Sequence, residues 1–160
     1  MRVVCDTSPL ILLAKIGRLE LLFRLYEQVA IPVSALDEAR VRSTEETTGI
    51  EALVENQAVE IERGSPEVLQ SVPADLGAGE RAAIAVAIET GADLVIPDDR
   101  AGRRVAREKD LSVTGTIGIL IEARARDMIS SVRRELDRLI EAGMWIDEVF
   151  YHRILQEFDE

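Results

Sequence analysis

Two short apolar stretches of this chain end on carboxylates. Val3-Val4-Cys5 runs into Asp6, and Leu94-Val95-Ile96-Pro97 runs into the pair Asp98-Asp99. An open α/β sheet binds ligands just outside the carboxyl ends of its strands. Two such strands side by side would bring acids from opposite ends of the sequence to one site. Carboxylates held together repel one another unless a cation sits among them. Oxygen donors of this kind suit Mg²⁺ or Mn²⁺, so Asp6, Asp98 and Asp99 are candidate metal ligands. A local reading competes with this one. Asp6 can help cap the helix that starts at Ser8-Pro9, and Asp98 or Asp99 can cap the helix starting near Arg100, because acids favour helix N-termini. The spacing does not tell Asp98 from Asp99.

Further residues extend the constellation. Glu80 opens a helix over 79–89 and shares a face with Ile84 and Ile88, so it heads a core-facing stripe and must sit at the rim of the sheet or be paired. A plain helix-dipole contact would also place an acid there. Glu38 lies one turn into the helix after the second strand, and on pattern alone it reads as an ordinary surface acid. Arg100, Arg103, Arg104 and Arg107 recur at i, i+3, i+4 and i+7 directly after the acidic pair. Their planar forks suit phosphate oxygens, although pairing with surplus surface acids is equally open. Thr116 is an N-cap or a support for a metal ligand.

Other chemistries fail. Gly77-x-Gly79-x-x-Ala82 imitates a dinucleotide fingerprint, but no strand precedes it. His152 is the only histidine and Cys5 the only cysteine, which leaves no triad, zinc cluster or intrachain disulfide.

These residues must be positioned by alternating elements. Strands are expected at 2–6, 29–31, 59–61, 94–97 and 111–114, the third alternating and therefore at an edge. Helices are expected at 8–14, 18–26, 34–42 (capped by Ser34), 48–56, 79–89, 100–109 and 116–126, with a polar loop at 63–75. In the C-terminal part, Ile129, Val132, Leu136, Leu139 and Ile140 share one amphipathic face, and Ile146, Phe150 and Ile154 share another, with Val149 alongside. Five strands separated by helices imply an α/β fold: a three-layer α/β/α sandwich around a parallel sheet.

The composition sets bounds. A length of 160 residues with 47% apolar content fits one domain spanning 1–160, whose helices at 129–160 offer a partner or dimer surface. The longest apolar run, 82–88, falls far short of a membrane span. Charges at Arg2, Asp6 and Lys15 spoil a signal peptide, so a cytoplasmic location is expected. A net charge of −11 argues against broad salt-driven nucleic-acid binding, though not against a nucleic-acid enzyme with a local basic strip.

Four segments in order resemble a PIN domain: Val3-Val4-Cys5-Asp6-Thr7-Ser8-Pro9-Leu10, Gly77-Ala78-Gly79-Glu80-Arg81-Ala82, Leu94-Val95-Ile96-Pro97-Asp98-Asp99-Arg100, and Gly115-Thr116-Ile117-Gly118. The tail Ala142-Gly143-Met144-Trp145-Ile146-Asp147 resembles the end of a PIN subgroup that begins with the same Asp-Thr-Ser-Pro-Leu. The resemblance implies strand order 3-2-1-4-5 with an acidic pocket at the carboxyl ends. It implies a Mg²⁺- or Mn²⁺-dependent endoribonuclease acting on RNA, in many relatives a toxin paired with a small antitoxin. Carried over by motif, the catalytic acids are Asp6, Glu38, Glu80 and Asp99, with Asp98 the near alternative to Asp99. Asp6, Glu80, Asp98 and Asp99 would hold one or two metal ions, Thr7, Ser8 and Thr116 would support them, and Arg100, Arg103, Arg104 and Arg107 would hold the RNA backbone. Two positions depart from the family pattern. Ala101-Gly102 stands where many relatives carry a further acid, and Glu80 stands where Asp is common. The alternative from another class is a non-catalytic module that binds protein or RNA, with its C-terminal segments as a homodimer face or antitoxin groove.

Overall fold

The computed structural model describes residues 1–42, 44–56 and 58–160, with the backbone alone at 44–47. The first half runs β1 (Arg2–Cys5), α1 (Thr7–Lys15), α2 (Glu20–Leu25), β2 (Gln28–Pro32), α3 (Val33–Arg42), α4 (Thr44–Glu55) and β3 (Glu60–Glu62). The second half runs α5 (Pro66–Gln70), α6 (Ala78–Thr90), β4 (Leu94–Ile96), α7 (Arg100–Glu108), α8 (Thr116–Ala125), α9 (Val132–Glu141) and α10 (Glu148–Glu157). The four strands are parallel in the order β3-β2-β1-β4, with Val4 opposite both Ala30 and Val95.

Strand side chains alternate between faces, and the core divides accordingly. Val3, Cys5, Val29, Ile31 and Ile96 face one layer, built from α1, α2, α3, α8 and α9. Val4, Ala30 and Val95 face the other, where α6 packs through Ala83, Val86 and Ala87. Both faces being covered explains why the strands read as apolar runs. Beyond α6, Ile84 and Ala85 meet Val105 and Ala106 of α7. The three-layer α/β/α sandwich expected from the sequence is the fold.

Several local expectations change. Residues 111–114 contribute one parallel bridge, Val95 to Val113, beside β4 instead of a full strand. Asp110 precedes it at φ 60 and α8 begins at Thr116, which leaves room for little more than that bridge. The loop at 63–75 contains α5, capped by Ser65 with Pro66 in its first turn. Helix α1 starts at Thr7 with Asp6 as its N-cap, so Ser8 lies inside the first turn and is not the cap. Ser34 likewise lies within α3, and Gly115 caps α8 in place of Thr116. On α9, Val132, Leu136 and Leu139 are buried, but Ile140 is 46% exposed. Trp145, Val149 and Phe150 are also exposed, so the last apolar stripe is only partly covered. No helix among the described residues is long and apolar enough to cross a membrane.

Candidate functional site

The parallel sheet opens its carboxyl edge between α1, α3, α6 and the start of α7, where a cleft of about 500 Å³ lies. Asp6, Glu38, Glu80 and Asp99 all line it, from four different elements. Asp6 directly follows β1 and caps α1, accepting the Thr7 N–H at 2.6 Å. It is 3% exposed. Glu38 is fixed at both oxygens: Thr7 Oγ1 donates to Oε2 at 2.8 Å and the Gly79 N–H to Oε1 at 3.2 Å. Glu80 folds back over the start of α6 to accept the Gly77 N–H at 3.3 Å. Asp99 caps α7 through Oδ1, which accepts from Ala101 N at 2.8 Å and Gly102 N at 3.3 Å.

Gly79 makes this convergence possible. A Cβ there would stand 2.5 Å from Thr7 Oγ1 and 2.8 Å from both Asp6 Oδ1 and Glu38 Oε2. Contacts below about 3 Å force neighbours to move, so only glycine lets α6 approach the acids of β1 and α3 this closely.

The electrostatics follow from crowding. Burial pushes the Asp6 carboxyl up to about 7; Glu80 and Glu38 add to the shift and the Thr7 donors oppose it. Glu80 is also raised, first by burial and then by Asp99. These acids carry their charge at a cost that a cation would remove.

Asp98 stands apart from this group. Its Oδ1 accepts the Thr116 N–H at 2.8 Å and its Oδ2 the Thr116 hydroxyl at 2.5 Å. It lines a separate cavity of about 170 Å³ with Arg103, Gly115 and Phe150. Burial raises its carboxyl above the usual range, while Thr116 and Arg103 pull it down. Thr116 therefore supports Asp98 and does not touch the cleft acids.

The arginine stripe is dispersed. Arg103 turns toward Asp98 and Gly115. Arg104 lies 3.8 Å from Glu108, and Arg100 and Arg107 are exposed. None of the four lines the cleft; the cation that does is Arg42, with Asp75 at another edge. Neither stands out in the sequence motifs. Arg42 carried a usable signal, because it follows Glu38 by one helical turn and so shares its face. Asp75 sits in an irregular loop and carried none.

The donor set around the cleft is all oxygen, the kind hard divalent cations prefer. Among the described residues no three Asp, Glu, His or Cys side chains stand ready to grip one ion together. The donor chemistry fits an ion that keeps part of its water shell, as Mg²⁺ does.

The fold recurs in a solved structure. A PilT N-terminus domain protein from the hyperthermophilic archaeon Sulfolobus solfataricus superposes with a TM-score of 0.56 at 20% identity, over 77% of this chain and 93% of that one. A domain of a functionally unknown protein from Methanocaldococcus jannaschii matches at 17% identity and TM-score 0.45, over 71% of this chain and 89% of that one. No curated protein matches the chain. A PIN-domain family model matches residues 2–160, and the chain belongs to the PIN-domain family.

Proposed function

We propose that the protein is a metal-dependent endoribonuclease, hydrolysing phosphodiester bonds of RNA. The observation that carries this is the convergence of Asp6, Glu38, Glu80 and Asp99 on one cleft at the carboxyl edge of the sheet. PIN domains are typically nucleases, which supports the same reading.

Asp6, Glu80 and Asp99 would hold Mg²⁺ or Mn²⁺, with Glu38 assisting through water. Such an ion, when bound, acidifies water and neutralises charge developing on a phosphodiester. The chain's own contribution is preorganisation. Glu38 enters with both oxygens anchored, so it orients water without first having to be ordered. Asp99 is held through one oxygen by two amides at the start of α7, which leaves its second oxygen without a hydrogen bond among the described residues. Burial of Asp6 excludes bulk water from the floor of the site and strengthens every interaction made there. Exposed Arg100 and Arg107, beyond the Asp99 cap, would contact RNA backbone outside the cleft.

The test is cleavage of structured RNA in Mn²⁺, in Mn²⁺ with EDTA, and by Asp6→Asn. Cleavage in Mn²⁺ alone is expected. The Asp6→Asn loss should exceed the roughly 10–100-fold seen when an outer-shell partner of a metal is removed. Equal activity in all three arms, or none in any, overturns the proposal.

Exposed Trp145, Val149 and Phe150 favour a second reading, a non-catalytic module that binds a partner. The partner would be a second copy of the chain or a small protein; under the nuclease reading the same face would seat a small antitoxin, with this chain as the toxin. Under this reading Trp145→Ala abolishes complex formation in size-exclusion chromatography, and the cleft acids are dispensable.

A further inference from the structure

Arg42 is the unexplained charge of the cleft. It lines the same cavity as Asp6, Glu38, Glu80, Asp99 and Asp75, and it is the one cation in that lining among the described residues. Even so, it pairs with none of those carboxylates. Its one hydrogen bond among the described residues runs from Nη1 to Ser8 Oγ at 3.5 Å, the outer limit for such a bond. Arg40, two residues earlier on α3, shows what a structural arginine looks like here. It grips Glu51 through two nitrogens and also reaches Asp37 at 3.5 Å. Arg42 instead leaves its fork largely free beside a ring of acids, on the helical turn after Glu38.

Such an arrangement has a chemical use. A phosphodiester approaching this cleft meets repulsion from the carboxylates, and a bound divalent ion offsets only part of it. A guanidinium at the wall supplies the remaining positive charge, in a planar fork that matches two phosphate oxygens. We infer that Arg42 is the residue that binds the substrate phosphate in the cleft. The assignment rests on the nuclease reading for its substrate class, a single-stranded RNA backbone. The α7 arginines are ruled out for this role by position, because none of them lines the cavity.

Arg42 should affect the two ligands with opposite signs. It attracts phosphate and repels a divalent cation held by the neighbouring acids. Arg42→Gln should therefore weaken RNA binding and raise KM by about tenfold, the effect of losing one charge-assisted contact, with kcat within about twofold. In the absence of RNA, Mn²⁺ binding measured by titration calorimetry should be unchanged or tighter. Arg42→Lys should recover most of the KM loss while missing the bidentate part. Arg40→Gln should lower the melting temperature and leave KM alone.

RNA binding is read by anisotropy of a short fluorescein-labelled single-stranded RNA, and turnover by its cleavage in Mn²⁺. An Arg42→Gln protein with wild-type KM and RNA affinity overturns the assignment, as does a parallel loss of Mn²⁺ binding, which would mark Arg42 as scaffold. A wild type whose RNA binding depends on Arg42 but which cleaves nothing overturns the nuclease reading and supports the phosphate assignment. Absence of RNA binding by the wild type overturns both.

Discussion

Asp98 and Asp99 are adjacent in sequence and serve opposite sides of the sheet edge. Asp99 caps α7 beside the acidic cleft, whereas Asp98 receives both the backbone N–H and the hydroxyl of Thr116 on the far side. The cause is the extended backbone leaving β4, in which consecutive side chains point to opposite faces; Asp99 itself has φ −72 and ψ 139.

The two acids should therefore fail differently. Asp98→Ala strands two Thr116 donors, a loss of about 1–3 kcal/mol, and should lower the melting temperature by several degrees. Asp99→Asn keeps a good N-cap and should melt like the wild type while losing RNA cleavage. Calorimetric melting and cleavage rates of both variants check this. A cleavage-dead, thermally normal Asp98→Ala would reverse the two roles.

Stability should fall with rising pH when no metal is present. The Asp6 carboxyl titrates near 7 in the folded protein and near 3.8 when unfolded. Between those values the folded state binds the extra proton, so unfolding becomes easier as pH increases. The loss begins near the unfolded value and is complete above about 7, amounting to roughly 4 kcal/mol at most. Glu80 is raised as well and acts in the same direction. Melting in EDTA should be higher at pH 5 than at pH 8, and Asp6→Asn should flatten the difference and raise the pH 8 value. Added Mn²⁺ should stabilise wild type at pH 8 more than the variant.

Gly79 is predicted to be kept for the site and not for the helix. Ala is favoured over Gly in a helix by about 0.5–1 kcal/mol, but a Cβ at 79 would meet Thr7, Asp6 and Glu38 below 3 Å. Gly79→Ala should lose at least about tenfold in cleavage rate, the scale reported for disturbed outer-shell partners, with no gain in melting temperature. Gly77→Ala is the matched control, since its nearest new neighbour would be Glu80 Oε2 at 3.9 Å; it should retain activity.

Glu135 tests the far side of the molecule. It is 1% exposed and receives Arg18 at 2.6 Å and Arg138 at 3.3 Å. Glu135→Ala leaves Arg18 without its buried partner, and breaking such a pair costs about 3–5 kcal/mol when both groups are buried. Arg18 is 28% exposed, which reduces the figure to about 2–3 kcal/mol by solvent screening. Melting should drop while the pH dependence traced to Asp6 persists.

The order of apolar runs and helical periods determined, from sequence, the α/β sandwich, the parallel sheet and the placing of Asp6 and the Asp98-Asp99 pair at strand ends. These features are local, or follow from period and alternation, and both are written in consecutive residues. Glu80 was legible because it heads an apolar stripe, and Glu38 only through the family resemblance. The short helix at Pro66 lies in a segment whose polar composition reads as a loop, although Ser65-Pro66-Glu67 spells its cap. Tertiary structure alone decided which way each acid of the pair points, that Thr116 serves Asp98, and that Arg42 replaces the α7 stripe at the cleft wall. It also showed why residue 79 is glycine. Those outcomes depend on how closely β1, α3 and α6 approach one another, and no residue's own neighbours in sequence record that distance. The carboxylates that end two apolar stretches could be read from the chain as candidates for one site; packing decides which of them line the same cleft.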